Sequence, residues 1–291
     1  MATHYYIVAQ HAFAINIPDG DTGIAMPSYE PFAVEADEAR ELLFTLTVDD
    51  AFYPSKKGEL IGEFDCGAAD FSVHRMADGT YQMLVSPPGG EYCGLLQAAP
   101  DFRTATIATR GEDGLRSFSV NNALMLMFAF ASAEMGTLLV HASVIKNSNR
   151  GFLFLGKSGT GKSTHSSLWL KHIEGSELLN DDNPVVRIDD EGAAVYGSPW
   201  SGKTPCYKNE SVRIGAFVQI MRSPENHISR NQPLKSFAVL LPSMSAMKWD
   251  KRVYGGICDS VARLVERVPL YTLGCRPDQE AAEVCHAEVM K

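Results

Sequence analysis

Over the first hundred residues apolar and polar positions alternate in short runs, each stopped by turn chemistry. Residues 5–17 are rich in β-branched and aromatic side chains and end at Pro18-Asp19-Gly20, which reads as strand followed by a turn. The run ELLFTLTV at 41–48 fits helix or strand, and Thr45, Thr47 and Val48 tilt it toward strand. Residues 71–76 and 80–85 flank Ala77-Asp78-Gly79, which predicts a hairpin whose Asp-Gly pair adopts a type I′ turn. Residues 102–110 and 115–120 make a second such pair around Gly111-Glu112-Asp113-Gly114. These runs predict a small, mainly antiparallel β domain over 1–118.

The pattern changes near residue 119. Asn121 and Asn122 suit a helix N-cap, and the helix-forming run at 123–135 stops at Gly136. It is apolar nearly all round, which predicts a buried connecting helix over 119–136 with Met125, Met127 and Met135 as core filler. From residue 137 strands and helices mix: strands at 138–145, 151–155, 177–180 and 213–221, and a hairpin at 185–188 and 193–196. Helices are expected from Lys162 to about 173 and at 234–241, 257–267 and 279–290. That mixture predicts an α/β domain over 137–291.

Composition narrows the class. With 45% hydrophobic and 21% charged residues the chain is an ordinary globular one, not a fibrous or disordered one. A net charge of −9 argues against non-specific binding to nucleic acid or to a membrane surface. Residues 1–120 hold 7 Lys and Arg against 18 Asp and Glu, and the rest holds 19 against 17, so the two parts differ in charge as well as in pattern. The first basic residue is Arg40, so no signal peptide is expected, and the apolar run at 123–133 is shorter than the roughly 20 residues of a membrane span. The six cysteines (Cys66, Cys93, Cys206, Cys258, Cys275 and Cys285) form no C-x-x-C pair. They read as reduced thiols of a cytoplasmic protein, and structural zinc is not expected.

The candidate chemistry lies between the strand at 151–155 and the helix that follows. Gly156-Lys157-Ser158-Gly159-Thr160-Gly161-Lys162-Ser163-Thr164 fits G-x-x-x-x-G-K-[ST], the phosphate-binding loop. Its glycines let successive backbone N–H groups turn inward around a phosphate, and the following helix adds the positive end of its dipole. In this reading Lys162 reaches the β- and γ-phosphates, and the Ser163 hydroxyl ligates Mg²⁺. The strand at 177–180 then runs into Asp181-Asp182, whose side chains should point to opposite faces and do different work: one holds a metal, the other faces a nucleophile. His4, His11 and His74 lack metal spacing and read as surface or core histidines, and Arg276, after a strand end, reads as an ion-pair partner or a nucleotide contact. The Gly/Pro/Ser loop at 198–204, with Lys203, reads equally as a lid, an acceptor loop or plain surface.

Three segments in this order carry a family resemblance: Val140-His141-Ala142-Ser143, the loop from Gly156 to Thr164, and Leu179-Asn180-Asp181-Asp182. They resemble the P-loop superfamily of HPr kinase/phosphorylase and ATP-dependent phosphoenolpyruvate carboxykinase, above all its uncharacterised bacterial HPr-kinase-like members. The resemblance is firm over about 137–200 and weaker in Gly197-Ser198-Pro199-Trp200-Ser201-Gly202 and Leu273-Gly274-Cys275-Arg276-Pro277-Asp278. It implies an α/β P-loop kinase core using ATP and Mg²⁺ or Mn²⁺, with Asp182 binding the metal and Asp181 serving as base toward the acceptor. It also makes His141, otherwise an unremarked strand histidine, a catalytic residue and metal ligand beside Ser163 and Asp182. Two departures leave the acceptor open: carboxykinases are nearly twice as long, and HPr kinases have Glu where this chain has Thr164. Also absent is any copy of the HPr kinase loop for a protein substrate.

The expected function is therefore γ-phosphoryl transfer from ATP to a hydroxyl of a small molecule or protein, with room for a homo-oligomer. Competing readings are carboxykinase-type transfer to an enolate, which needs an arginine cluster not evident here, and a nucleotide-binding regulatory module that turns over slowly or not at all.

Overall fold

The computed structural model describes residues 1–52, 58–65, 69–157, 159–202 and 204–291. The fold is mixed α/β with two large sheets, and the chain divides into two compact units, Met1–Ser132 and Ala133–Lys291. Among the described residues no helix is long and apolar enough to cross a membrane.

The first unit holds strands β1 (Ala2–Val8), β2 (His11–Ile17), β3 (Ala33–Val34), β4 (Leu42–Val48), β5 (Glu59–Asp65), β6 (Asp70–Arg75), β7 (Tyr81–Ser86), β8 (Gly94–Ala98) and β9 (Thr104–Thr109), followed by helix α1 (Asp113–Ala131). The sheet order is β3-β1-β2-β4-β9-β8-β7-β6-β5. Most pairs are antiparallel, but β4 runs parallel to both neighbours, β2 and β9. The extended run expected at 5–17 is a hairpin. Ala9 and Gln10 form its turn at φ 47° and 64° without the Asn or Gly that usually marks such a turn. In the β6–β7 hairpin only Gly79 has positive φ (86°), so the Asp-Gly pair is not type I′; Gly79 N–H bonds Met76 O and Met76 N–H bonds Thr80 O, as in a turn closed by a glycine bulge.

Residues 115–120, expected as a strand, are helical. α1 begins at Asp113, ends well before Gly136, and packs on β4, β7, β8 and β9. Its apolar face explains this: Val120, Leu124, Met127 and Phe128 are fully buried or nearly so, and Phe128 meets Phe13 edge-on while Phe13 stacks on Phe44 at 4.9 Å. Each such buried aromatic contributes about 1.5–3 kcal/mol, more than local strand propensity can oppose. Met135, expected in the core, is 52% exposed.

The second unit contains β10 (Thr137–Leu139), β11 (Ala142–Asn147), β12 (Arg150–Leu155), α2 (Lys162–His172), β13 (Glu177–Asp182), β14 (Val185–Asp189), β15 (Gly192–Tyr196), β16 (Ser211–Arg222), β17 (His227–Arg230), α3 (Pro233–Leu240), α4 (Lys251–Arg267), β18 (Leu270–Cys275) and α5 (Gln279–Val289). Its sheet runs β10-β14-β15-β16-β12-β11-β13, with β18 beside β16 and β17 beside β18. The pairs β12–β16 and β16–β18 are parallel, and the rest are antiparallel. α2 and α5 pack together over a core that includes Phe152, Phe154, Trp169, Val218, Leu273 and Cys285.

Candidate active site

Strand register brings the three sequence segments together. A tight turn at Ser148 and Asn149, both at positive φ, reverses β11 into β12 and sets Ala142 opposite Leu155. On its other side β11 pairs antiparallel with β13, with Ala142 opposite Asp182 and Ser143 opposite Asp181. The start of β11 is therefore flanked by the ends of β12 and β13. His141 immediately precedes that start, Gly156 follows the end of β12, and Asp181 and Asp182 close β13.

His141 is not mid-strand as its sequence context suggests. β10 pairs with β14 while β11 pairs with β12 and β13, so the backbone crosses between partners at Val140 and His141. There Val140 bridges Met244 and His141 N–H bonds Ser243 O at 2.8 Å. The break in pairing frees the imidazole, which is 42% exposed.

The glycine loop carries positive φ at Gly156 (155°), Gly159 (76°) and Gly161 (111°). A Cβ at Gly156 would collide with Thr160 Oγ1, and its φ disfavours any other residue, so this position requires glycine. Thr160 closes the loop by donating its N–H and its hydroxyl to Lys157 O. Arg222, at the end of β16, donates to Gly159 O at 2.7 Å and braces the loop from outside. Gly161 caps α2, whose first internal bond runs from His165 N–H to Gly161 O, so the N–H groups of Lys162, Ser163 and Thr164 have no acceptor within the helix. Ser163 and Thr164 are exposed at this helix start. Ser158 lies outside the described residues, as does Lys203.

α2 is anchored by His165 and Trp169. His165 packs edge-on to Phe154 and accepts a hydrogen bond from Trp169 Nε1 at 3.1 Å, while its own Nδ1 is buried without a partner among the described residues. Burial pulls its pKa from 6.5 down to about 4. Because the folded chain resists the proton that the unfolded chain accepts, stability should fall as pH drops from about 6.5 toward 4, by up to about 3 kcal/mol. Urea titrations across that range should show a steeper acid loss in the wild type than in His165→Leu. Parallel pH profiles would remove His165 as the cause.

At the mouth of the loop three side chains form a line. Lys162 Nζ donates to Gly156 O at 3.0 Å and meets His141 Nε2 at 2.8 Å. An ammonium group has no lone pair, so Nε2 must accept, which leaves the hydrogen on Nδ1. Nδ1 faces Asp182 Oδ1 at 3.2 Å, and Asp182 Oδ2 accepts from Asn183 Nδ2 at 2.7 Å. Both ring nitrogens of His141 are therefore engaged, and a cation would have to displace Lys162 or Asp182 to use either. Burial lowers the Lys162 pKa, opposed first by the charge of Asp182 and then by that of Asp181.

Asp181 differs from its neighbour. It is 7% exposed and its Oδ1 has no hydrogen-bond partner among the described residues. It sits opposite Ser143, whose hydroxyl bonds Ser166 on α2, so its side chain belongs to the α2 face while Asp182 points to the other. Leaving a buried carboxylate oxygen unpaired costs about 1–3 kcal/mol or more, an arrangement expected where a cation or a donor from a ligand completes it. Among the described residues no three His, Cys, Asp or Glu side chains are grouped to hold a metal. Mg²⁺ does not require such a cage: one or two carboxylates, a hydroxyl and phosphate oxygens suffice. The oxygen donors of Asp182 and Ser163 fit that ion, which leaves the orphaned Asp181 oxygen to meet a donor from a ligand.

No protein-family profile matches the chain, and no curated protein does. Among solved structures the chain is similar to the Hpr(Ser) kinase/phosphatase from Coxiella burnetii, with 12% identity, 52% of this chain and 88% of that chain covered, and a TM-score of 0.32.

Several residues around the carboxylates lie in the resembling segments but are given no role by them. Asn180 and Ser198 are both fully buried and hydrogen-bonded to each other, and a Cβ on Gly202 would come within 2.8 Å of Asp181 O. The segment at 198–200 is thus packed against the Asp181-Asp182 turn, not free surface, and Trp200 is 3% exposed. Arg276 pairs with Asp278 and Glu280, the ion-pair reading of that residue.

Proposed function

We propose that the chain is an ATP- and divalent-metal-dependent phosphotransferase of HPr-kinase-like type, moving the γ-phosphate to a hydroxyl of a small molecule or protein. One observation carries the reading: the ammonium of Lys162 is held at the mouth of the glycine loop in a line with His141 and Asp182, beside a buried, unpartnered Asp181 oxygen. In this reading the ammonium leaves Gly156 O for the β- and γ-phosphate oxygens, and the N–H groups at the start of α2, which have no acceptor within the helix, receive the phosphates. His141, relieved of Lys162, orients Asp182 through Nδ1. Asp181 accepts the acceptor's hydroxyl proton as the new O–P bond forms and the bond to the leaving ADP oxygen breaks. Asp182 and Ser163 would hold the metal, which when bound neutralises phosphate charge.

The test needs no acceptor. Purified protein is incubated with ATP, with and without Mg²⁺ or Mn²⁺, and ADP formation is followed beside nucleotide affinity by calorimetry. Metal-dependent binding with slow hydrolysis to water is expected. Binding without any turnover, even after broad acceptor screening, would favour the regulatory module, and no binding at all would end both readings.

A further inference from the structure

We propose that Ser198 and Asn180 form a buried clasp that positions the metal-binding carboxylate of Asp182, with Asn183 as its outer arm. This rests on the phosphotransferase reading above and names residues that the motifs leave without a role.

The clasp is a saturated network. Ser198 Oγ donates to Asn183 O at 2.6 Å and accepts from Asn180 Nδ2 at 3.1 Å and Trp200 N–H at 3.2 Å. One hydroxyl offers one hydrogen and two lone pairs, so all of its capacity is used. Asn180 Oδ1 in turn accepts the N–H of Asp182 at 3.0 Å, and Asn183 N–H bonds Trp200 O at 3.2 Å. The backbone on both sides of Asp182 is therefore tied to one hydroxyl and the loop that carries it. Asn183 then reaches back to fix Asp182 Oδ2, opposite the hold of His141 on Oδ1.

A strand end is normally free to fray, and a carboxylate on it samples several rotamers. Here Asn180 and Ser198 have no solvent exposure, so each bond lost leaves a buried polar group unpaired. The close approach of Gly202 to Asp181 O and Asp182 Cβ presses the same turn from above. A network concerned only with stability need not converge on the residue that faces His141 and Lys162. This one does, as outer-shell partners of metal ligands do.

The experiment measures Mn²⁺ affinity in the presence of ATP by electron paramagnetic resonance, the metal-free ATP affinity by calorimetry, and the melting temperature. Four variants are compared with wild type: Ser198→Ala, Ser198→Thr, Asn183→Ala and Asp182→Asn. Ser198→Ala should weaken Mn²⁺ binding about 10-fold or more while leaving metal-free ATP affinity unchanged, and Ser198→Thr, which keeps the hydroxyl, should recover much of the loss. Asn183→Ala, which leaves the buried hub intact, should reproduce the metal effect at little cost in melting temperature, so a poorly folding Ser198→Ala does not decide the matter. Lower melting temperature with Mn²⁺ affinity at the wild-type level in both Ser198→Ala and Asn183→Ala would make the clasp a stabilising device and overturn the proposal. Absence of Mn²⁺ dependence in the wild type, matched by Asp182→Asn, would overturn the phosphotransferase reading and the clasp with it.

Discussion

Lys162→Ala should bind ATP about 10- to 100-fold more weakly and show no measurable phosphoryl transfer, with a melting temperature no lower than wild type. The size follows from losing charge-assisted hydrogen bonds to phosphate, each worth roughly 1.5–3 kcal/mol. The unchanged stability follows from this site in particular. Lys162 is half-buried, and burial outweighs the attraction of Asp182 and Asp181, so its ammonium is held at some cost in the free protein. Its two bonds go to Gly156 O and His141 Nε2, both at a solvent-reaching loop mouth where water can replace them. Lys162→Arg should rescue little, because the planar fork does not fit the pocket of a compact ammonium. Calorimetry with ATP and thermal melts decide it: undiminished affinity and turnover in Lys162→Ala would remove the phosphate-loop assignment.

The parts of the fold that could be read from sequence are those fixed locally. The loop from Gly156 to Gly161, the start of α2 at Lys162 and the β14–β15 hairpin depend on glycine conformations and turn residues visible in a few adjacent letters. The two strands hidden in 5–17 were not legible, because their turn uses Ala9 and Gln10 at positive φ, a conformation that non-local pairing of the flanking strands supports. Residues 115–120 look like strand by composition and are helix because Phe128 and its neighbours pack on the sheet, a non-local gain.

The site shows the same division. Lys162, Asp181, Asp182 and His141 stand out by motif or by resemblance, and register brings them to one strand end. The arrangement of His141 was not legible: its exposure depends on the partner change between β10 and β11, a property of the whole sheet. Asn180 and Ser198 fall inside the resembling segments, but one sequence does not show that they bond each other 18 residues apart, nor that Arg222 reaches Gly159 across 63 residues.

The sharpest separation should come from the paired carboxylates. Asp182 has donors on both oxygens, His141 Nδ1 at 3.2 Å and Asn183 Nδ2 at 2.7 Å, and is 26% exposed on its side chain. Asp182→Asn sets an amide N–H against one of those donors and removes the charge that a cation needs, so metal-dependent nucleotide binding should be lost. Asp181 is buried with an unpartnered oxygen, so Asp181→Asn removes a desolvated carboxylate and should leave the folded state as stable as before or more so. Nucleotide and metal should still bind to it, while the transfer rate falls about 10²-fold or more, as for removal of a general base. Single-turnover rates, Mg²⁺-dependent ATP affinity and unfolding free energies of both variants make the comparison. Equal loss of metal-dependent binding in the two would show that both carboxylates hold the cation, and the division of labour set by the alternating faces of β13 would have to be given up.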